Sequence, residues 1–256
     1  MRFAWTLSVY SAAAVLVGFL IVPVVAILVS LSPAEFVAGI TQPEVWPAMR
    51  LSLLTTLSSL ALMLVFGTPL AWILSRRTGR SVRILETLLQ LPAVLPPAVA
   101  GVALLLAFGR RGFLGDLFGG SLSFTTAAVV MAELFVAAPF YLQSAIAAFR
   151  RVDPEQLIVA RSLGAKPARV FFRVALPAAA AGLLSGAGMA WARALGEFGA
   201  TLLFAGNLQG TTQTLPLAVY ATFESDLKAA RAMSAVLVIL AFSLLMMLAR
   251  FTPDRR

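Results

Sequence analysis

The 256-residue chain contains no cysteine and no histidine. The first absence excludes disulfides, iron–sulfur clusters and thiol catalysis; the second removes the commonest metal ligand and the usual proton shuttle. Lysine is nearly missing too. Neither Lys166 nor Lys228 follows a glycine, so there is no G-x-x-x-x-G-K-[ST] phosphate loop, and any ATP hydrolysis belongs to a partner. Charge of either sign is scarce: charged residues make up 12% of the chain against 60% hydrophobic, with mean hydropathy +0.93. That is the composition of a membrane protein, not of a soluble domain. What charge there is leans basic, 20 Lys and Arg against 11 Asp and Glu, for a net +9. Such an excess serves nucleic-acid binding or membrane topology, and the positions of the charges decide between them.

A helix needs ~20 mostly apolar residues to cross a hydrocarbon layer of ~30 Å. Six runs meet that length, at residues 8–31, 51–75, 84–108, 124–149, 176–205 and 233–251. The first is longer than the ~7–15-residue core of a secretory signal and lacks a small-x-small cleavage site, so it is expected to be a retained span. The prediction is an all-α membrane protein of six transmembrane helices, residues 1–256 forming a single transmembrane domain. Six spans put both termini on one side. One assignment gathers Arg2, Arg76, Arg77, Arg80, Arg83, Arg150, Arg151, Arg161, Lys166, Arg169, Arg173, Arg250, Arg255 and Arg256 on the side of the termini. It leaves only Arg50, Arg110, Arg111, Lys228 and Arg231 opposite, with Arg193 inside a span. Fourteen against five places both termini in the cytoplasm. Topology explains the basic excess, and no nucleic-acid partner is expected.

The loop between spans four and five carries consistent helix signals. Asp153 is a good N-cap, Pro154 suits the first helical position, and Gln156 completes a capping-box pattern. Gly164 fits the left-handed position just past the helix end, and Pro167 blocks continuation. The result is a capped helix of about three turns. By three- and four-residue spacing Leu157, Ala160 and Leu163 or Gly164 share one face, with Ile158, Arg161 and Ser162 turned elsewhere. Small Ala and Gly on that face would admit a close-fitting partner, although a solvated connector has the same signals.

Gly164, followed by Phe171, Phe172, Val174 and then Leu176-Pro177, resembles the cytoplasmic loop signature of permease subunits of ATP-binding-cassette importers. The resemblance implies a type I importer permease architecture in which this loop is a coupling helix seated in an ATPase subunit. Asp153, Glu155, Leu157, Ile158, Ala160, Arg161, Leu163, Gly164 and Ala165 would then form the docking segment. The chain departs from the pattern at Ile158-Val159-Ala160, where Ile158 replaces the glutamate of the signature.

Span five is dominated by small residues from Ala178 to Thr201, which lets helices approach closely in lipid and predicts a central position. It also carries Arg193 and Glu197, four residues apart on one helical face. Charges at that depth cost at least ~2.5–3.5 kcal/mol each by insertion scales and are normally paired or cavity-facing. Arg193 lies about 24 Å along a helix from Pro177 at ~1.5 Å per residue, in the outer half of the bilayer, and Glu133 of span four reaches a comparable depth. Two readings stay open. Arg193 pairs with Glu197, Glu133 or both to hold the bundle, or it supplies positive potential to an anion path. Prolines 92, 96 and 97 in span three kink or break it, either as a static kink or as a mobile segment near a path. The outside loop 206–230, with Asn207, Gly210, Thr211, Thr212, Glu224 and Asp226, is either a connection or a contact for an external partner.

The run Arg193-Ala194-Leu195-Gly196-Glu197-Phe198-Gly199-Ala200-Thr201 and the segment Thr212 to Tyr220 are similar to the molybdate branch of these permeases. So are Leu91 to Gly101 and Phe108-Gly109-Arg110-Arg111-Gly112. Sulfate permeases are similar but tend to carry Tyr and Ser where Phe198 and Ala200 stand here. The resemblance implies a homodimer in a bacterial or archaeal cytoplasmic membrane, with two ATPase subunits that bind ATP and Mg and an external oxyanion-binding protein. No cofactor, metal or catalytic residue is expected in this chain. ATP binding would swing the coupling helices and open the path outward; hydrolysis would reset it. Two rival classes are weaker. An ion-coupled secondary transporter would use Glu133, Glu197 and Arg193, but no inverted repeat is evident. An intramembrane enzyme would need a nucleophile with its base or a metal cluster inside the spans, where the chain has no His or Cys and offers only Glu133 and Glu197 as clear acids.

Overall fold

The computed structural model describes residues 2–112, 114–115, 122–223 and 225–251, all helix, turn or irregular. Glu224, Arg255 and Arg256 of the sequence reading lie outside the described residues. The chain runs α1 (Arg2–Val29), α2 (Pro33–Ile40), α3 (Val45–Leu62) and α4 (Thr68–Ser75), then α5 (Arg80–Val94) and α6 (Pro97–Phe108). There follow α7 (Thr126–Arg150), α8 (Pro154–Ser162), α9 (Pro167–Val170), α10 (Leu176–Leu195), α11 (Gly199–Phe204), α12 (Leu215–Phe223) and α13 (Leu227–Phe251). Among the described residues five stretches are long and apolar enough to cross a membrane: Val9–Val29, Val45–Ser75, Thr126–Arg150, Pro167–Leu195 and Leu227–Met247. The remaining expected span, the third, is a pair of helices, α5 and α6, bent by 112° at the break between them.

Local chemistry explains the starts and breaks. Ser32 and Glu35 form a reciprocal capping box at α2, and the Ser32 hydrogen bonds, helped by Lys228, hold the Glu35 carboxyl below its ordinary value. Thr125 caps α7, and Asp226 accepts from the Lys228 and Ala229 N–H groups to open α13. Two π turns, Met63–Gly67 and Phe171–Ala175, join α3 to α4 and α9 to α10. Each lies just before a proline, Pro69 or Pro177. A proline lacks the N–H and clashes with the carbonyl four residues back, and one widened turn absorbs both defects without ending the span.

Span three breaks where two residues in succession precede a proline. Leu95 (φ −63, ψ 136) and Pro96 (φ −53, ψ 137) are both extended, as a residue before proline prefers. Pro92 sits inside α5 without ending it. The break therefore belongs to Pro96-Pro97, not to all three prolines. Span five differs from the expected 176–205 at both ends: Pro167 starts its helix instead of merely blocking α8, and residues 196–198 interrupt it before α11. Spans two and six begin at Val45 and Leu227, several residues earlier than expected, and the loop expected over 206–230 contains α12.

Helix α7 is the central post, packed by α10, α4, α3, α5 and α11. Against it α10 lies close because Gly182 and Gly186 leave no room for more: a Cβ there would fall 2.5 Å from Ala148 Cβ and 2.6 Å from Ser144 Cβ. This fulfils the central position expected of span five. The two half-helices α6 and α11 pack on each other through Gly101 and Gly199, whose added Cβ atoms would meet Leu203 at 2.8 Å and Pro97 at 2.6 Å. By contrast α1 touches little besides α13 and leaves its apolar circumference uncovered.

Candidate functional site

The segment after α7 is built as a rigid hairpin. The Asp153 carboxylate accepts from the Glu155 N–H at 2.9 Å, and Pro154 begins α8. That bond goes to the second helical residue, so Asp153 caps α8 without the box expected with Gln156. At the other end Leu163 is the C-cap and Gly164 takes φ +80. The Gly164 N–H donates to Arg161 O (2.9 Å) and the Ala165 N–H to Ala160 O (3.1 Å), the two bonds of a Schellman motif. Nine residues make two and a half turns, slightly fewer than expected.

Leu157 and Ala160 share a face, as their spacing predicts, with Ile158, Arg161 and Ser162 turned away, but that face looks into the core and Leu163 and Gly164 do not join it. Leu157 is 4% exposed and joins Phe149, Val152 and Val170 in the inner core, with Ala160 and Ala165 packed on its edge. The outward face carries Ile158, Val159 and, past the last turn, Leu163 at 83% exposure. Asp153, Glu155, Arg161 and Gly164 are also exposed, and nothing lies within 4 Å of where a Gly164 side chain would begin. A small helix anchored by one leucine thus presents three bare apolar side chains and Arg161 to whatever lies beyond.

Behind α8 sits an aromatic floor. Trp72 packs edge-on to Phe149 at 5.3 Å and tilted to Phe171 at 5.5 Å. Arg76 lies over the Trp72 ring at 4.5 Å and donates to Phe149 O at 2.6 Å. Burial, and then the charge of Arg161, push the Arg76 guanidinium below its ordinary value. The floor ties the ends of α4, α7 and the second π turn to the base of α8.

Toward the other end the bundle has a polar seam. Arg193 and Glu197 form an ion pair at 2.7 Å, with Arg193 29% exposed at its side chain and Glu197 1%. The other Glu197 oxygen accepts from the Ala200 N–H at 2.8 Å. One carboxylate therefore neutralises the arginine and caps α11 across the break in span five. Glu133 is buried separately and accepts from Thr55 Oγ1 at 2.8 Å; no ion pair between it and Arg193 occurs among the described residues. Of the pairings left open by the sequence, Glu197 alone is the partner.

A buried stripe on span two escaped the sequence reading. Ser52, Thr55, Thr56 and Ser59 all point inward from α3. Ser52 accepts from the Leu215 N–H at 2.7 Å, Thr55 meets Glu133, and Thr56 accepts from the Trp191 indole at 3.1 Å. Their spacing of three, four and seven residues is a helical stripe visible in the sequence. The loop 206–230 is likewise folded: the Leu208 N–H donates to Thr212 Oγ1 (2.9 Å), Thr126 Oγ1 donates to Thr211 O (2.9 Å), and Gly210 takes φ +73.

Solved structures share this architecture. A bacterial importer of the acidic polysaccharide alginate superposes with TM-score 0.72 at 16% identity, covering 97% of this chain and 96% of that one. The inward-facing MetNI methionine transporter gives 0.65 at 19% identity, covering 82% and 94%. In sequence, the molybdenum transport system permease protein ModB of Mycobacterium tuberculosis is 44% identical over 248 residues, 96% of this chain and 94% of that protein. The protein of the same name from Escherichia coli is 40% identical over 190 residues, 73% and 82%. Residues 63–256 match the family described as binding-protein-dependent transport system inner membrane component. A bundle with a broken third span, a capped helix after its fourth and this likeness along nearly its whole length is no enzyme but a multi-pass membrane permease, and the chain belongs to that family of binding-protein-dependent, ATP-binding-cassette importers.

Proposed function

We propose that this chain carries molybdate, or the closely similar tungstate, into the cytoplasm as the membrane-spanning subunit of an ATP-driven importer. The observation that carries the reading is the 44% identity over 96% of the chain to permeases named for molybdenum transport. Two copies would form the path. The uncovered α1 and the small exposed residues Ala178, Ala181 and Ser185 along α10, with Gly196 just past its end, favour close approach of a second copy. Two ATPase subunits, holding ATP and Mg, would each receive one α8, with Ile158, Val159 and Leu163 entering an apolar cleft and Gly164 letting the surfaces meet. The fourteen-to-five division of basic residues puts α8 and both termini in the cytoplasm, and an external oxyanion-binding protein would dock on the opposite side.

Movement of α8 is delivered to the bundle through Leu157 and the aromatic floor, so α4, α7 and α10 shift together. The Arg193–Glu197 pair acts as a clamp: it stabilises the turn between α10 and α11 and leaves no bare charge to hold the anion tightly in the path. Selectivity then rests on the binding protein. Competition during uptake tests the substrate. Tungstate should block labelled molybdate entry and sulfate should not; block mainly by sulfate would move this chain to the sulfate branch.

A further inference from the structure

Where α5 begins beside the inner end of α7, Arg77, Thr78, Arg83, Glu86 and Arg150 line a cleft of about 270 Å³. Glu86 and Arg150 also line a second cavity of about 220 Å³ that continues between the two helices past Leu89, Pro139, Leu142 and Ile146, with Gln90, Gln143 and Ala147 among them. The cavities thus adjoin, a basic mouth and a continuation of mixed character. Three arginines against one glutamate leave the mouth at net +2, and the glutamate is already engaged in an ion pair with Arg150. Arg77 and Arg83 are exposed and have no ion pair among the described residues. From Arg150 to Pro139 is eleven residues of α7, roughly 16 Å at ~1.5 Å per residue. Half of a ~30 Å hydrocarbon layer is about the same length.

We propose that this groove binds an anionic phospholipid of the inner leaflet, its phosphate on Arg77 and Arg83 and one acyl chain along Leu89, Leu142 and Ile146. A free oxyanion would use the basic mouth alone; the continuation, one leaflet deep and carrying Leu89, Leu142 and Ile146 beside Gln90 and Gln143, has the length and the aliphatic wall for an acyl chain. Basic pockets between helices at the cytoplasmic face recognise anionic headgroups in this manner. The lipid has a structural use. No residue of α5 is buried, so the inner half of the broken span is thinly held, and a molecule in the groove fastens it to α7. The leaflet assignment rests on the orientation proposed above.

The test uses the full-length chain purified with its ATPase subunit in phosphatidylcholine nanodiscs, titrated with phosphatidylglycerol and read by native mass spectrometry of retained lipid. Anionic lipid is available on both faces of a nanodisc, so binding is read independently of orientation. The double variant Arg77→Gln, Arg83→Gln should weaken phosphatidylglycerol binding about thirtyfold. Arg77→Lys with Arg83→Lys should keep it within a few fold, which separates lost charge from lost folding. Ala147→Trp, at an exposed position lining the continuation, should weaken it about tenfold without changing charge. Unchanged binding in the glutamine and tryptophan variants would overturn the proposal. Displacement of the lipid by excess inorganic phosphate or molybdate would also overturn it, by assigning the mouth to a free oxyanion.

Discussion

Removing the Arg193–Glu197 pair one partner at a time should cost far more than removing it whole. In Arg193→Met the Glu197 carboxylate, 1% exposed and left with only the Ala200 N–H, becomes an orphaned buried charge, at a cost of about 3–5 kcal/mol. Glu197→Gln keeps an oxygen for the Ala200 N–H but strands Arg193. That side chain is 29% exposed, and the cost falls to about 2–3 kcal/mol, near the insertion cost of a lone arginine. The double variant retains the cap and contains no charge, and should lose about 1 kcal/mol. The singles together then exceed the double by at least ~4 kcal/mol, measured by denaturant titration of the purified chain in mixed lipid–detergent micelles. Single costs that add to the double within ~0.5 kcal/mol would refute the clamp. Uptake gives the second half of the test. The double variant should transport molybdate nearly as well as the parent, and a folded double variant without transport would show that Arg193 acts on the anion itself.

Three further outcomes follow from the same geometry. Gly164→Asn should retain most stimulated ATPase activity because Asn tolerates a left-handed backbone, whereas Gly164→Leu should lose it through ~1–2 kcal/mol of backbone strain and a side chain pushed into the partner surface. Normal stimulation in the leucine variant would exclude Gly164 from the interface. Leu157→Ala should destabilise the membrane domain by about 2–4 kcal/mol, while Ile158→Ala leaves its melting unchanged and lowers ATPase coupling; the reverse pattern would mean the faces of α8 are misassigned. Gly199→Val should unseat α6 from α11, because its added atoms meet Pro97, and so destabilise both broken spans by about 1–3 kcal/mol in the same titration; a neutral effect would contradict their contact.

The number of spans, the caps of α8 and the left-handed Gly164 were all legible in the sequence because each depends on local composition or on one residue's backbone freedom. So was the division of Leu157 and Ala160 from Ile158, Arg161 and Ser162, but the place of Leu163 was not. Leu157 and Leu163 obey the spacing rule for one face, yet the Schellman turn carries Leu163 past the last helical residue, and the aromatic floor that claims Leu157 comes from residues 72, 149 and 171. Prolines announced a defect in span three but not which ones made it; two successive residues before proline bend it, whereas Pro92 merely lacks a donor. Pro69 and Pro177 gave no break because a π turn precedes each. The Arg193–Glu197 pairing was one of three arrangements allowed by depth, and Thr55, which engages Glu133, settles that carboxylate elsewhere. The Ser52 to Ser59 stripe was visible in the sequence, masked by the apolar bulk of the span around it.

The most direct measurement is uptake of labelled molybdate into proteoliposomes holding this chain, its ATPase subunit and the external binding protein, with ATP either inside or omitted. Uptake should require internal ATP and the binding protein, and should persist when proton and sodium gradients are collapsed. Uptake that ignores ATP and follows an ion gradient would contradict the importer reading and return Glu133, Glu197 and Arg193 to the role of an ion-coupling site.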